Sequence, residues 1–107
     1  MKPRYLAQPM FMTAALLCCQ AALAHAPVFD CYIEHDDWVK CEAGYTDGSS
    51  AEGRKIQVQD ASNKLLLDAR VDQDNSYRFQ APAGSYRVVF LGGDGHDTTI
   101  QSSDISR

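Results

Sequence analysis

Residues 29–43 of the chain read FDCYIEHDDWVKCEA, and this stretch decides the fold. Its cysteine and apolar residues alternate with polar ones in two runs, and a period of two is typical of strands with one buried face. A hairpin centred on Asp36 places Cys31 opposite Cys41 and keeps both runs on the same face. The sequence therefore predicts a hairpin whose inward residues are Phe29, Cys31, Ile33, Val39, Cys41 and Ala43.

Short apolar runs continue beyond the hairpin, separated by segments rich in Asp, Asn and Gly that favour turns. They predict an all-β domain, a seven-stranded antiparallel β-sandwich. The predicted strands cover residues 28–33, 38–45, 54–59, 64–69, 75–80, 85–91 and 97–102. The same alternation predicts further interior residues, namely Ile56, Val58, Tyr77, Phe79, Tyr86, Val88 and Phe90.

The first 24 residues have the layout of a secretory signal peptide. Lys2 and Arg4 provide a positive start, and residues 10–24 carry no charge and end in Ala-Leu-Ala, which suits a signal peptidase. We expect residues 1–24 to be removed in export to the periplasm or the medium, leaving a β-sandwich domain of residues 25–107. Since the apolar run is short for a permanent membrane anchor, we expect no membrane span after cleavage.

Two other interpretations of the N-terminal segment are open. One is a buried helix of the fold, although the run has no polar face. The other is a lipoprotein signal ending at Cys18 or Cys19, which the bulk of Leu17 disfavours.

Cys31 and Cys41 remain after the predicted cleavage, and an oxidising compartment favours a disulfide between them. The shared hairpin register supports this bridge independently, because it satisfies both the apolar face and the cysteine pair. The competing interpretation is a pair of thiolate metal ligands.

The chain is acidic, with a formal net charge of −4 that becomes −6 when Lys2 and Arg4 are removed. Nucleic acids require clustered basic residues, so this balance argues against such a partner and is compatible with cations. The sequence has no paired nucleophile and base, no phosphate loop and no three-histidine zinc pattern, and we expect no enzyme.

Residues 53–90 contain a G-x-x-I-x-V-x-D run, a leucine-rich strand, a D-x-x-x-x-Y-x-F step and P-x-G-x-Y-x-V-x-F. This pattern resembles the carboxypeptidase regulatory-like, transthyretin-like group of β-sandwiches. The resemblance implies an immunoglobulin-like or prealbumin-like sandwich and brings no catalytic residue with it. The matching residues are Ile56, Val58, Asp60, Asp72, Tyr77, Phe79, Pro82, Gly84, Tyr86, Val88 and Phe90.

The two ends of the expected domain carry a second pattern. It consists of a His-Ala start, D-C-x-x-x-x-D-x-x-V-x-C, a TDGSSAEG loop and G-x-G-H-x-x-x-I-x-x-x-D-I. It is similar to small periplasmic accessory proteins associated with nickel or cobalt uptake, and it implies a metal ion and an inner-membrane metal permease component as partners. The residues that carry it are His25, Asp30, Cys31, Asp36, Val39, Cys41, Asp47, Gly48, His96, Ile100, Asp104 and Ile105.

An N-terminal His25 would offer one metal ion both its α-amine and an imidazole nitrogen. Such groups ordinarily have pKa values near neutrality, so a metal can displace their protons. Imidazole suits nickel, cobalt, copper and zinc. Because Pro27 lacks an amide hydrogen, the peptide cannot wrap the ion alone, and further ligands must come from the fold.

Strand parity predicts where these ligands lie. Consecutive loops of an antiparallel sandwich alternate between its two ends, which places His25 and His96 at one end and His35 at the other. We predict a transition-metal site for nickel or cobalt, or alternatively copper, with His25 and His96 as ligands. Asp47, Asp94 and Asp97 are further candidate ligands, and Asp72 and Asp74 lie nearby.

Simpler interpretations remain open at each position. Cleavage leaves some residue first, so His25 can be accidental, and His96 can be an ordinary polar turn residue. His35 is expected to be a solvated turn residue, and Trp38 and Tyr32 to be outward aromatics of the ordinary kind. The alternative function is a metal-free β-sandwich interaction module that assembles or stabilises a membrane or envelope complex.

Overall fold

The structure, a computed structural model, describes residues 26–93 and 95–107. The predicted signal peptide, His25 and Asp94 lie outside the described residues. The elements are β1 (Pro27–His35), β2 (Trp38–Tyr45), β3 (Lys55–Asp60), β4 (Leu65–Arg70), β5 (Ser76–Gln80), β6 (Tyr86–Leu91), β7 (Asp97–Gln101) and a 3-10 turn (Ser102–Asp104). The prediction of an all-β chain with seven strands is confirmed.

The seven strands form two antiparallel sheets, one with the order β1-β2-β5 and one with the order β4-β3-β6-β7. Their inner faces enclose the apolar core, and its larger cluster includes Val39 of β2, Val58 of β3 and Val88 of β6. Stacked sheets with a common apolar interior are the arrangement of a β-sandwich. Where the structure describes the chain, no helix is long and apolar enough to cross a bilayer.

The first hairpin has the predicted register, with Ile33 opposite Val39, Cys31 opposite Cys41 and Phe29 opposite Ala43. The two cysteines form a disulfide and are buried. One detail differs from the simple alternation, because the pairing shifts between Ile33 and His35.

That shift has a geometric reason. A tight two-residue turn at Asp36 and Asp37, with Asp36 at a φ of 50°, cannot by itself give the register that the cysteines require. Glu34 is the extra residue that reconciles the turn with the cysteine pair. Asp36 accepts the left-handed conformation because aspartate tolerates it better than most residues.

The predicted interior is largely confirmed. Ile56, Val58, Phe79, Tyr86, Val88 and Phe90 are all buried, and Tyr77 is only half-buried, on edge strand β5. The core also contains Ala51, Val71 and Ile105, which alternation did not predict. These three lie outside the strands, where side chains follow no period of two.

One end of the sandwich carries the β1–β2 turn and the last residues of the chain. Ser106 pairs with Tyr32 at the edge of β1, and its carbonyl accepts a 2.9 Å hydrogen bond from the amide of Ile33. Arg107 donates to the carbonyl of Asp36 at 3.3 Å. His35 lies in this region, exposed as we predicted, with Nδ1 3.7 Å from the Asp36 carboxylate, but it is the last residue of β1 and not part of the turn.

Candidate functional site

The opposite end of the sandwich, which we call the loop end, consists of residue 26 and the described residues of loops 46–54, 71–75 and 92–96. The amide of Thr46 donates a 2.9 Å hydrogen bond to the carbonyl of Ala26. The hydroxyl of Tyr45 donates a 2.7 Å hydrogen bond to the carbonyl of Gly92. Two adjacent residues therefore hold the segment that follows His25 and the loop that carries His96.

Asn75 ties two other loops of this end together. Its side-chain oxygen accepts hydrogen bonds from the hydroxyl of Ser50 at 2.8 Å and from the amide of Ala51 at 2.9 Å. Its backbone carbonyl accepts from the amide of Ala43 at 2.9 Å. Asn75 has a φ of 62°, which asparagine adopts more readily than most residues. The loop end is thus a connected structure with several cross-links between its loops.

His96 lies in the loop between β6 and β7, immediately before Asp97, the first residue of β7. Its amide donates a 2.9 Å hydrogen bond to the carbonyl of Gly93, which closes a turn. The side chain is half-buried, and within the described part of the chain its imidazole makes no hydrogen bond or ion pair.

Gly92 and Gly93 begin the loop that carries His96, and each is favoured there for its own reason. A Cβ on the buried Gly92 would lie 2.5 Å from the carbonyl oxygen of His96. Gly93 has a φ of 89°, and a Cβ there would lie 2.7 Å from the guanidinium of Arg54. At Gly92 a larger residue would push the end of β6 away from His96, so this close approach depends on glycine. At Gly93 the flexible Arg54 side chain can move aside, and glycine is favoured there by the positive φ.

The loop end carries several carboxylates. The Asp47 carboxylate accepts hydrogen bonds from the amide of Ser49 at 3.0 Å and from its hydroxyl at 2.6 Å. Glu52, Asp72 and Asp74 line a shallow surface depression together with Gln73. Four carboxylates therefore lie at this end, beside the guanidinium group of Arg54. Acidic groups are favourable for cations and are also common for solubility.

Asp74 shows how such a carboxylate is held. The hydroxyl of Ser76 donates a 2.6 Å hydrogen bond to Asp74, and the guanidinium of Arg78 lies 3.7 Å away. The Ser76 hydrogen bond, aided by the charge of Arg78, holds the pKa of Asp74 below its ordinary value of 3.8. Asp74 is therefore ionised at neutral pH and committed to partners within the protein.

The structure places the predicted residues as strand parity requires. Asp47, Asp72, Asp74 and His96 belong to the loop end, Asp97 directly follows it as the first residue of β7, and His35 lies at the opposite end. His25 and Asp94 lie outside the described residues. Within residues 26–93 and 95–107, no three His, Cys, Asp or Glu side chains are grouped so as to hold a metal ion. The metal site of His25 and His96 remains a prediction.

Sequence reasoning missed Tyr45 and Asn75, which organise the loop end, and treated Gly92 only as a turn residue. Tyr45 ends a predicted strand, but its hydrogen-bonding partner is 47 positions away. A weak sequence signal for the turn at Asn75 was present, since asparagine next to aspartate is typical of tight turns.

A scan against models of protein families, a search of curated proteins and a search of solved structures each found no match for this chain.

Proposed function

We propose that this chain is an exported, periplasmic accessory protein that binds a divalent transition metal for an uptake system. The proposed cargo is nickel or cobalt, with copper as the alternative, and the proposed receiver is a metal permease component of the inner membrane. The α-amine and imidazole of His25 and the imidazole of His96 are the proposed ligands. The protein would act as a carrier without a catalytic role.

One observation carries this proposal. Tyr45 and Thr46 are neighbours in the chain, and they bond the carbonyls of Gly92 and Ala26 at 2.7 and 2.9 Å. Ala26 follows His25 directly, and Gly92 lies four positions before His96. The chain next to one proposed ligand and the loop that carries the other are therefore anchored at the same point.

The chemistry of the loop end supports a cation as cargo. Three neutral nitrogen donors suit nickel, cobalt and copper, and they leave coordination positions open for water, carboxylate or a receiving protein. Asp47, Asp94 and Asp97 are the proposed additional oxygen donors. The Cys31–Cys41 disulfide is consistent with an oxidising compartment such as the periplasm.

The fold supports the same proposal through the resemblances described above. The β1-β2-β5 and β4-β3-β6-β7 sheet orders are consistent with an immunoglobulin-like or prealbumin-like sandwich, to which we assign the chain. The residues similar to those of nickel and cobalt uptake accessory proteins include His25 and His96, the two proposed ligands.

The test is a calorimetric titration of nickel into protein that begins at His25, a start verified by intact mass. We expect one ion per chain at micromolar concentrations and weaker binding as the pH falls from neutral towards 5, since protons then compete for all three nitrogens. Replacement of His96 by alanine should weaken binding by more than about tenfold. One extra residue before His25 should have a comparable effect because it displaces the amine.

His35→Ala is the matched control, since it removes an exposed imidazole from the opposite end. It should leave the affinity unchanged. A parent protein that takes up no nickel, cobalt or copper would refute the proposal, as would a His35→Ala variant that is as damaged as His96→Ala.

A second candidate function, the metal-free interaction module, is favoured by one observation. Leu65 and Leu66 are 46% and 37% exposed and lie on β4, an edge strand of the four-stranded sheet. Exposed apolar residues on a sheet edge favour pairing with another chain. The interaction-module function is favoured over metal binding if the titration shows no metal uptake and Leu66→Lys abolishes association with an envelope complex in cells.

A further inference from the structure

We propose that Tyr45 is a positioning residue for His96, acting through its hydrogen bond to Gly92. This inference rests on the proposed function and deepens it, since it assigns the orientation of one metal ligand to a residue that contacts no metal. Positioning involves three steps: Tyr45 is held in place, its hydroxyl fixes Gly92, and Gly92 packs against His96.

The first step is that Tyr45 is itself held in place. It is the last residue of β2, it pairs with Pro27 of β1, and its side chain is half-buried. Its ring packs against Phe90 at a centroid distance of 6.2 Å, and Phe90 is fully buried. A hydroxyl on such a ring has a fixed position, and the ring's packing does not depend on that hydroxyl.

The second step is the bond across the sandwich. Tyr45 belongs to the three-stranded sheet, whereas Gly92 directly follows β6 of the four-stranded sheet. The 2.7 Å hydrogen bond from Tyr45 to the Gly92 carbonyl therefore fixes the start of the β6–β7 loop against the other sheet. Because Gly92 is buried, its carbonyl has little access to water as a substitute partner.

The third step is contact between Gly92 and His96. A Cβ on Gly92 would lie 2.5 Å from the His96 carbonyl oxygen and 3.3 Å from the His96 Cβ. The two residues therefore pack closely at the base of the loop. A displacement of Gly92 moves the root of the His96 side chain, and a ligand nitrogen must be held to a fraction of an ångström for tight metal binding.

Tyr45→Phe keeps the ring and removes only the hydroxyl. The loss of one hydrogen bond that orders the loop should weaken nickel binding about three- to tenfold. Gly92→Ala forces residues 92 and 96 apart at the base of the loop and should weaken nickel binding at least as much. Gly44→Ala is the matched control, because a Cβ there meets nothing within 4 Å and no positive φ is recorded for this glycine.

The experiment is a double-mutant cycle, measured by nickel titration of protein that begins at His25. The four proteins are the parent, Tyr45→Phe, His96→Ala and the double variant, each with its thermal unfolding recorded. If Tyr45 acts through His96, its substitution weakens binding in the parent and has no effect once His96 is absent. A purely structural role would lower the affinity in both backgrounds.

The outcomes separate this inference from the proposed function. A parent that takes up no nickel, cobalt or copper overturns both. A parent that binds nickel through His96, while Tyr45→Phe binds as tightly as the parent or is equally damaging without His96, overturns the positioning role alone. The positioning role is also overturned if the Gly92→Ala variant binds nickel as tightly as the Gly44→Ala variant.

Discussion

Replacing Cys31 and Cys41 together by alanine is expected to lower the free energy of unfolding by about 2–5 kcal/mol. The disulfide joins residues ten positions apart and restricts the unfolded chain, which accounts for about 3 kcal/mol in the chain-entropy model. Both sulfurs also belong to the core cluster, so alanine leaves unfilled space. For a small domain, this is a large share of the total stability.

Urea unfolding followed by circular dichroism measures this loss. The control is Val28→Ala, an exposed position on β1 that should change stability by no more than about 0.5 kcal/mol. Equal midpoints for the parent and the double variant would contradict the role of the bridge. Free thiols in oxidised, folded protein would contradict the bridge itself.

Phe90→Ala is expected to cost about 3–5 kcal/mol, as for other buried phenylalanines cut to alanine. Phe90 is fully buried, and its ring stacks on Phe29 across the sandwich at a centroid distance of 5.2 Å. It also contacts the ring of Tyr45. The substitution therefore opens a cavity between the two sheets directly beneath the loop end.

The same urea experiment checks this prediction, with Phe90→Leu as the control because it keeps most of the apolar volume. The leucine variant should lose clearly less stability than the alanine variant. If the alanine variant is as stable as the parent, Phe90 does not link the two sheets as the structure indicates.

Much of the fold could be predicted because the inward residues of each strand recur with a period of two. That period gave the hairpin register and the pairing of Cys31 with Cys41. It could not give the extra residue Glu34, since a bulge is set by the turn that follows it. Nor could it give Val71 or Ile105, which enter the core from loops.

Less of the candidate site could be predicted. Strand parity predicted which loops lie at the same end of the sandwich, because that depends only on the number and direction of the strands. The hydrogen bonds from Tyr45 to Gly92 and from Ser50 to Asn75 join residues 47 and 25 positions apart. Bonds of this kind depend on the final packing of the sheets and leave no local pattern in the sequence.

The central claim is that one metal ion is held by His25 and His96. The most direct measurement is nuclear magnetic resonance of the three imidazoles in isotope-labelled protein that begins at His25, recorded as nickel is added. The account predicts that the resonances of His25 and His96 broaden together, with half-effect at the same nickel concentration, while those of His35 persist. Broadening of His35 alone, or no selective broadening before general loss of signal, would contradict it.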